Sequence, residues 1–89
     1  MRKPFIAGNW KMNLSRSEAT ALAGALVAKS AGFGDVDVAV IPAFVHLDAV
    51  GQVVKASPIG LGAQDVYFEK NGAFTGEIST AMLTDLGVK

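Results

Sequence analysis

The chain has 89 residues, 51% of them hydrophobic and 18% charged, with a mean hydropathy of +0.37, an apolar balance high for so short a polypeptide and suited to a piece of something larger or to a chain that covers apolar area against a partner. Eight basic and eight acidic residues cancel, and the longest charge run is Arg2-Lys3, so neither nucleic acid nor an anionic membrane surface is an expected partner. Without cysteine, disulfides and thiolate metal sites are excluded, and the first ten residues are too briefly apolar for a signal peptide or a membrane span, which predicts a soluble, untargeted protein.

Taken in chain order, Pro4 to Trp10 is a short apolar run closed by polar residues and predicts a first strand over about 5–10. Ser15 and Glu18 stand at capping-box spacing, with Leu14 and Ala19 placed as a hydrophobic staple, so a helix begins there. Its apolar stripe, Leu22, Ala23, Leu26 and Val27, carries it to about Ala31, before Gly32 and Gly34. The β-branched run from Val36 to Pro42 predicts a second strand, of the kind a parallel sheet covers on both faces.

Leu47, Val50, Val53 and Val54 recur at helical spacing, with Asp48 near the start, and this second helix ends before Ser57-Pro58. A third strand is expected over about 59–64, weakened by Gly60 and Gly62. Residues 65–78 form a polar, glycine-containing loop longer than most connections, a length that points to function. Ser79 then caps a short helix over about 79–86 with Gly87 as its stop, and Val88-Lys89 leads toward a further strand outside the sequence. The order predicts an α/β fold of parallel βα units, with sheet edges that the segment alone leaves open.

Asn9 and Lys11 fall at the carboxyl end of the first strand, where α/β sheets and barrels bind ligands. There an ammonium attracts a phosphate or a developing oxyanion while an amide fixes orientation. The same pair also suits a solvated strand end, and spacing does not choose between the two. His46, the single histidine, has no metal or triad companions in the sequence and reads as structural or solvent-facing. Trp10 reads as a packing residue with its indole N–H bonded near the sheet end. Phe68 and Phe74, apolar on a polar loop, mark an interface unless they fold back on their own subunit.

The run Gly8-Asn9-Trp10-Lys11-Met12-Asn13 resembles the opening strand and loop of the triosephosphate isomerase family. Gly62-Ala63-Gln64-Asp65 is similar to the end of that family's third strand, and Gly72 to Ser79 to its long third loop, with Met82, Leu83, Asp85 and Gly87 in register. The resemblance covers essentially the whole chain. It implies a (β/α)₈ barrel, of which these residues are about the first three βα units, interconverting dihydroxyacetone phosphate and glyceraldehyde 3-phosphate in glycolysis and gluconeogenesis by proton transfer through an enediol, without metal or cofactor.

Carried over by position, the resemblance makes Asn9 and Lys11 the substrate-binding pair and Thr75 a loop residue that reaches across a homodimer to the neighbouring site. Gln64 lies near that interface, and Glu77 pairs with an arginine beyond Lys89. A cytoplasmic location is implied. The electrophilic histidine and glutamate base of the family lie outside these residues, and neither Glu69 nor Glu77 replaces the base. Each such acid-base group contributes a factor of about 10² to 10⁴, so the chain alone is expected to be inactive and to need the rest of the barrel, supplied by a second polypeptide. Two alternatives are a non-catalytic βα segment that self-associates to cover its edges, and an unrelated small phosphate-binding α/β protein using Lys11.

Overall fold

A computed structural model of the chain describes residues 3–89. Three parallel strands, β1 (Phe5–Asn9), β2 (Asp37–Ile41) and β3 (Gly60–Leu61), form a sheet in the order β1-β2-β3. Phe5 pairs with Asp37 and Asn9 with Ile41, while Ala39 and Val40 pair with Gly60 and Leu61. The first ladder continues past both strands, since Asp37 N–H donates to Pro4 O at 2.9 Å and Trp10 N–H to Ile41 O at 3.1 Å. At its lower end Lys3 and Asp37 form an exposed ion pair of 3.1 Å, of the kind that contributes little to stability.

Helix α1 (Arg16–Lys29) starts where the sequence places it, with both halves of the capping box formed: Glu18 N–H donates to Ser15 Oγ and Ser15 N–H to Glu18 Oε1. The bond from Ser15 N–H foremost, with the Ser15 hydroxyl second, holds the Glu18 carboxyl below the usual glutamate range. The α-helix stops at Lys29, short of Ala31, because the chain tightens into a 3₁₀ turn, Ser30–Gly32, with Ser30 Oγ–H on Val27 O. Its buried face is Ala19 and Ala23, with Leu26 and Val27 packed beside them. Leu22, expected in that stripe, is 40% exposed.

A 3₁₀ turn, Phe44–His46, leads into α2 (Leu47–Val54), and Ser79 caps α3 (Thr80–Asp85) by accepting from Met82 N–H. The core lies where α1, α2 and α3 meet β2 and β3: Ala19, Ala23, Val40, Leu47, Val50, Val54, Ile59, Leu61 and Leu83. Gly51 on α2 permits the closest approach, since a Cβ there would stand 3.2 Å from Leu61 Cδ2 and 3.3 Å from Leu86 O.

Three features differ from expectation. The strand β3 is shorter than 59–64, because Gly60 and Gly62 offer no side chain to pack, although Gly62 N–H still donates to Val40 O at 2.9 Å. Val88 does not merely lead toward a strand: it bridges Leu61 in parallel, and Lys89 N–H donates to Leu61 O at 3.1 Å, so the sheet acquires a fourth neighbour beside β3. All five residues of β1 are exposed, Phe5 by 66% and Ile6 by 59%. The apolar character of β1 is therefore not spent on the core of these residues.

Candidate functional site

At the carboxyl end of the sheet the chain leaves β1 at Asn9 and makes a tight loop before the cap at Ser15. Asn9 Oδ1 accepts from Lys11 N–H at 2.9 Å, a side chain folded onto the backbone two residues on, and Asn13 Nδ2–H donates to Trp10 O at 2.9 Å. Lys11 and Leu14 have φ of 53° and 79°. Left-handed backbone of this kind crowds Cβ against the following carbonyl and costs a non-glycine residue about 1–2 kcal/mol. The loop is thus strained at two points and must be held from outside.

Gln64, three residues past β3, supplies one hold. Its amide nitrogen donates both hydrogens, to Lys11 O at 2.9 Å and to Ile41 O at 3.0 Å. Both partners are carbonyl oxygens, so they fix the orientation of the amide. Lys11 thus has its N–H taken by Asn9 and its C=O by Gln64, and its exposed ammonium is paired with no carboxylate among the described residues. The backbone that carries this cation is thereby fixed at a strand end, where a positive charge suits an anion.

His46 supplies a second hold. The ring is buried, 9% exposed, with Nε2 at 2.9 Å from Leu14 O. Of the two sequence readings for this residue, the structural one holds and the solvent-facing one does not. Trp10 is half-buried against the core as expected, but its indole N–H has no hydrogen bond among the described residues.

The long loop is closed at its neck by Tyr67 N–H on Ile78 O at 2.7 Å and a parallel bridge between Tyr67 and Ser79. The rings of Phe68 and Phe74 lie 4.7 Å from that of Tyr67. Gly72, with φ of 142°, is required beneath Phe74, because a Cβ would fall 2.6 Å from its ring. Phe68 stays 80% and Phe74 42% exposed, and Thr75 and Glu77 sit exposed at the tip, where Glu77 N–H closes a turn on Phe74 O at 3.0 Å. The structure brings Asn9, Lys11 and Gln64 into one hydrogen-bonded unit. No hydrogen bond connects Thr75 or Glu77 to it among the described residues.

Sequence reasoning missed His46 as a loop anchor and the grip of Gln64 on Lys11. For His46 the signal was a lone polar residue in the apolar stretch Pro42 to Leu47. For Gln64 there was none, since an amide after a strand reports no partner. Among the described residues, no group of three or more His, Cys, Asp or Glu is placed to hold a metal ion, and no helix is long and apolar enough to cross a membrane.

Against known proteins, a sequence profile described as triosephosphate isomerase matches residues 4–89. Two triosephosphate isomerases are close in sequence. That of Carboxydothermus hydrogenoformans is 53% identical over 89 residues, covering 100% of this chain and 36% of the relative, and that of Endomicrobium trichonymphae is 52% identical over 87 residues, covering 98% and 35%. The crystal structure of triosephosphate isomerase from Bartonella henselae superposes with a TM-score of 0.88 at 31% identity, over 98% of this chain and 35% of that one. The chain spans about a third of the length of these relatives.

Proposed function

The chain belongs to the triosephosphate isomerase family, and from that premise we propose that its 89 residues are the first three βα units of a (β/α)₈ barrel that interconverts dihydroxyacetone phosphate and glyceraldehyde 3-phosphate in the cytoplasm. The observation that carries the reading is the state of Lys11: strained, gripped at both its N–H and its C=O, with an ammonium unpaired among the described residues at the carboxyl end of β1. Phosphate and the oxyanion of an enediolate are both anions that such a group would stabilise. Asn9 sets the lysine as much as the substrate, because its oxygen is spent on Lys11 N–H.

The remaining five βα units are the partner for the exposed β1 edge and for the open concave face lined by Phe5, Ala7, Ala39 and Ile41. They also bring the acid and base. The exposed aromatics and tip residues of the long loop suit a homodimer, with Thr75 and Glu77 entering the neighbouring subunit and Gln64 serving the site from behind Lys11.

The test is a complete barrel in which these 89 residues replace the matched third of the Carboxydothermus relative. The barrel should isomerise glyceraldehyde 3-phosphate in a coupled assay. Lys11→Ala should abolish turnover while the circular dichroism spectrum and melting temperature stay at the parent's values. Turnover near the parent's level in Lys11→Ala would refute the role given to the lysine.

A further inference from the structure

We propose that His46 is a positioning residue for Lys11, acting through the carbonyl of Leu14. The inference rests on the reading of Lys11 as the substrate-facing cation. Lys11 and Leu14 are the two non-glycine residues with positive φ among the described residues, and they bracket the loop after β1. Each has its carbonyl captured by a side chain from a distant element: Lys11 O by Gln64 and Leu14 O by His46. Without the second capture, Leu14 has no side-chain hold on its left-handed conformation, and a change there rotates the peptides that lead back to Lys11.

His46 is built to be immobile. Its N–H donates to Ala43 O at 2.9 Å within the 3₁₀ turn, and the next residue, Leu47, is a fully buried start to α2. The anchor therefore transmits the position of the core to an exposed loop. A carbonyl oxygen can only accept, so Nε2 carries the proton. A proton on Nδ1 would be a buried donor without an acceptor among the described residues, and the ring is held as the Nε2–H tautomer.

The experiment uses the complete barrel and compares His46→Phe, Leu14→Gly and the double variant. Glycine adopts the left-handed conformation without the Cβ penalty, so it removes the need for the hold. Misplacement of a site group by a fraction of an ångström costs roughly tenfold, and His46→Phe should lower kcat/KM by about that factor. In the double variant the value should return to within roughly twofold of Leu14→Gly alone, a rescue that a ring serving only as packing would not show. Parent-like kcat/KM in His46→Phe, or the same loss with glycine at position 14, overturns the proposal. An inactive parent barrel overturns the underlying reading and the proposal with it. Should His46→Phe fail to fold, ¹⁵N NMR of the parent decides: an Nε2–H tautomer with a slowly exchanging proton supports the anchor, and an Nδ1–H tautomer overturns it.

Discussion

Replacing Gln64 by glutamate preserves length and shape while turning a double donor into an acceptor that faces two carbonyl oxygens, Lys11 O at 2.9 Å and Ile41 O at 3.0 Å. Two such bonds contribute about 0.5–1.5 kcal/mol each. Against the bond on Lys11 stands the left-handed backbone of that residue, which costs about 1–2 kcal/mol. In the parent, Asn9 and Gln64 together offset that cost. With Gln64→Ala only the Asn9 bond remains, about 1 kcal/mol against a cost of the same size, and the competent fraction falls from about 85% to about half. Apparent affinity falls with the competent fraction. In the complete barrel, kcat/KM for glyceraldehyde 3-phosphate should therefore drop about twofold in Gln64→Ala. The drop should exceed roughly tenfold in Gln64→Glu, where repulsion is added to loss. Parent-like kinetics in Gln64→Glu would refute the idea that Lys11 is held from behind.

Two further outcomes follow from local chemistry. Ser15→Ala removes the acceptor for Glu18 N–H and should cost about 1 kcal/mol of stability in urea unfolding. The Glu18 carboxyl is held below its ordinary range by the bond from Ser15 N–H, so that contribution is complete above the unfolded-state value and is lost as pH falls through the lowered one. The protection factor at Ser15 N–H, its exchange rate corrected for the intrinsic pH dependence, should fall over that acidic window in the parent, and an unchanged protection factor would count against the box. At the tip of the long loop, Thr75→Arg places a bulky charge at the proposed subunit contact. It should raise the dimer dissociation constant of the barrel by at least about tenfold, measured by sedimentation equilibrium. An unaffected dimer would remove Thr75 from the interface.

What the sequence made legible is what short-range chemistry encodes. Ser15 and Glu18 announce a helix start because both partners of the box lie within four residues, and Ser79 does the same for α3. The β-branched run Val36 to Ile41 reads as a strand because branching and burial point the same way. The pair Gly60 and Gly62 blurred β3, since glycine carries no packing signal and its pairing is decided by neighbours. Leu22 misled because helical spacing identifies an apolar face without saying which of its residues will be buried, and here Ala19 and Ala23 are. At the candidate site, the place of Asn9 and Lys11 at a strand end was legible, while their substrate role came only from the family resemblance. The grips of Gln64 and His46 were not, since they join residues 53 and 32 positions apart to backbone carbonyls that every residue possesses.

That separation gives the lysine a timetable. Lys11 is made early, but the amide that sets its backbone arrives 53 residues later. At a synthesis rate of about 5–20 residues per second the delay is roughly 3 to 10 s. During it a growing chain can pair β1 with β2 and form α1, yet it displays a lysine whose left-handed turn has only Asn9 to hold it. Before Gln64 docks, the backbone that carries the charge is loosely set; afterwards that backbone is fixed. The set of the lysine backbone thus becomes a report that the third strand is in place.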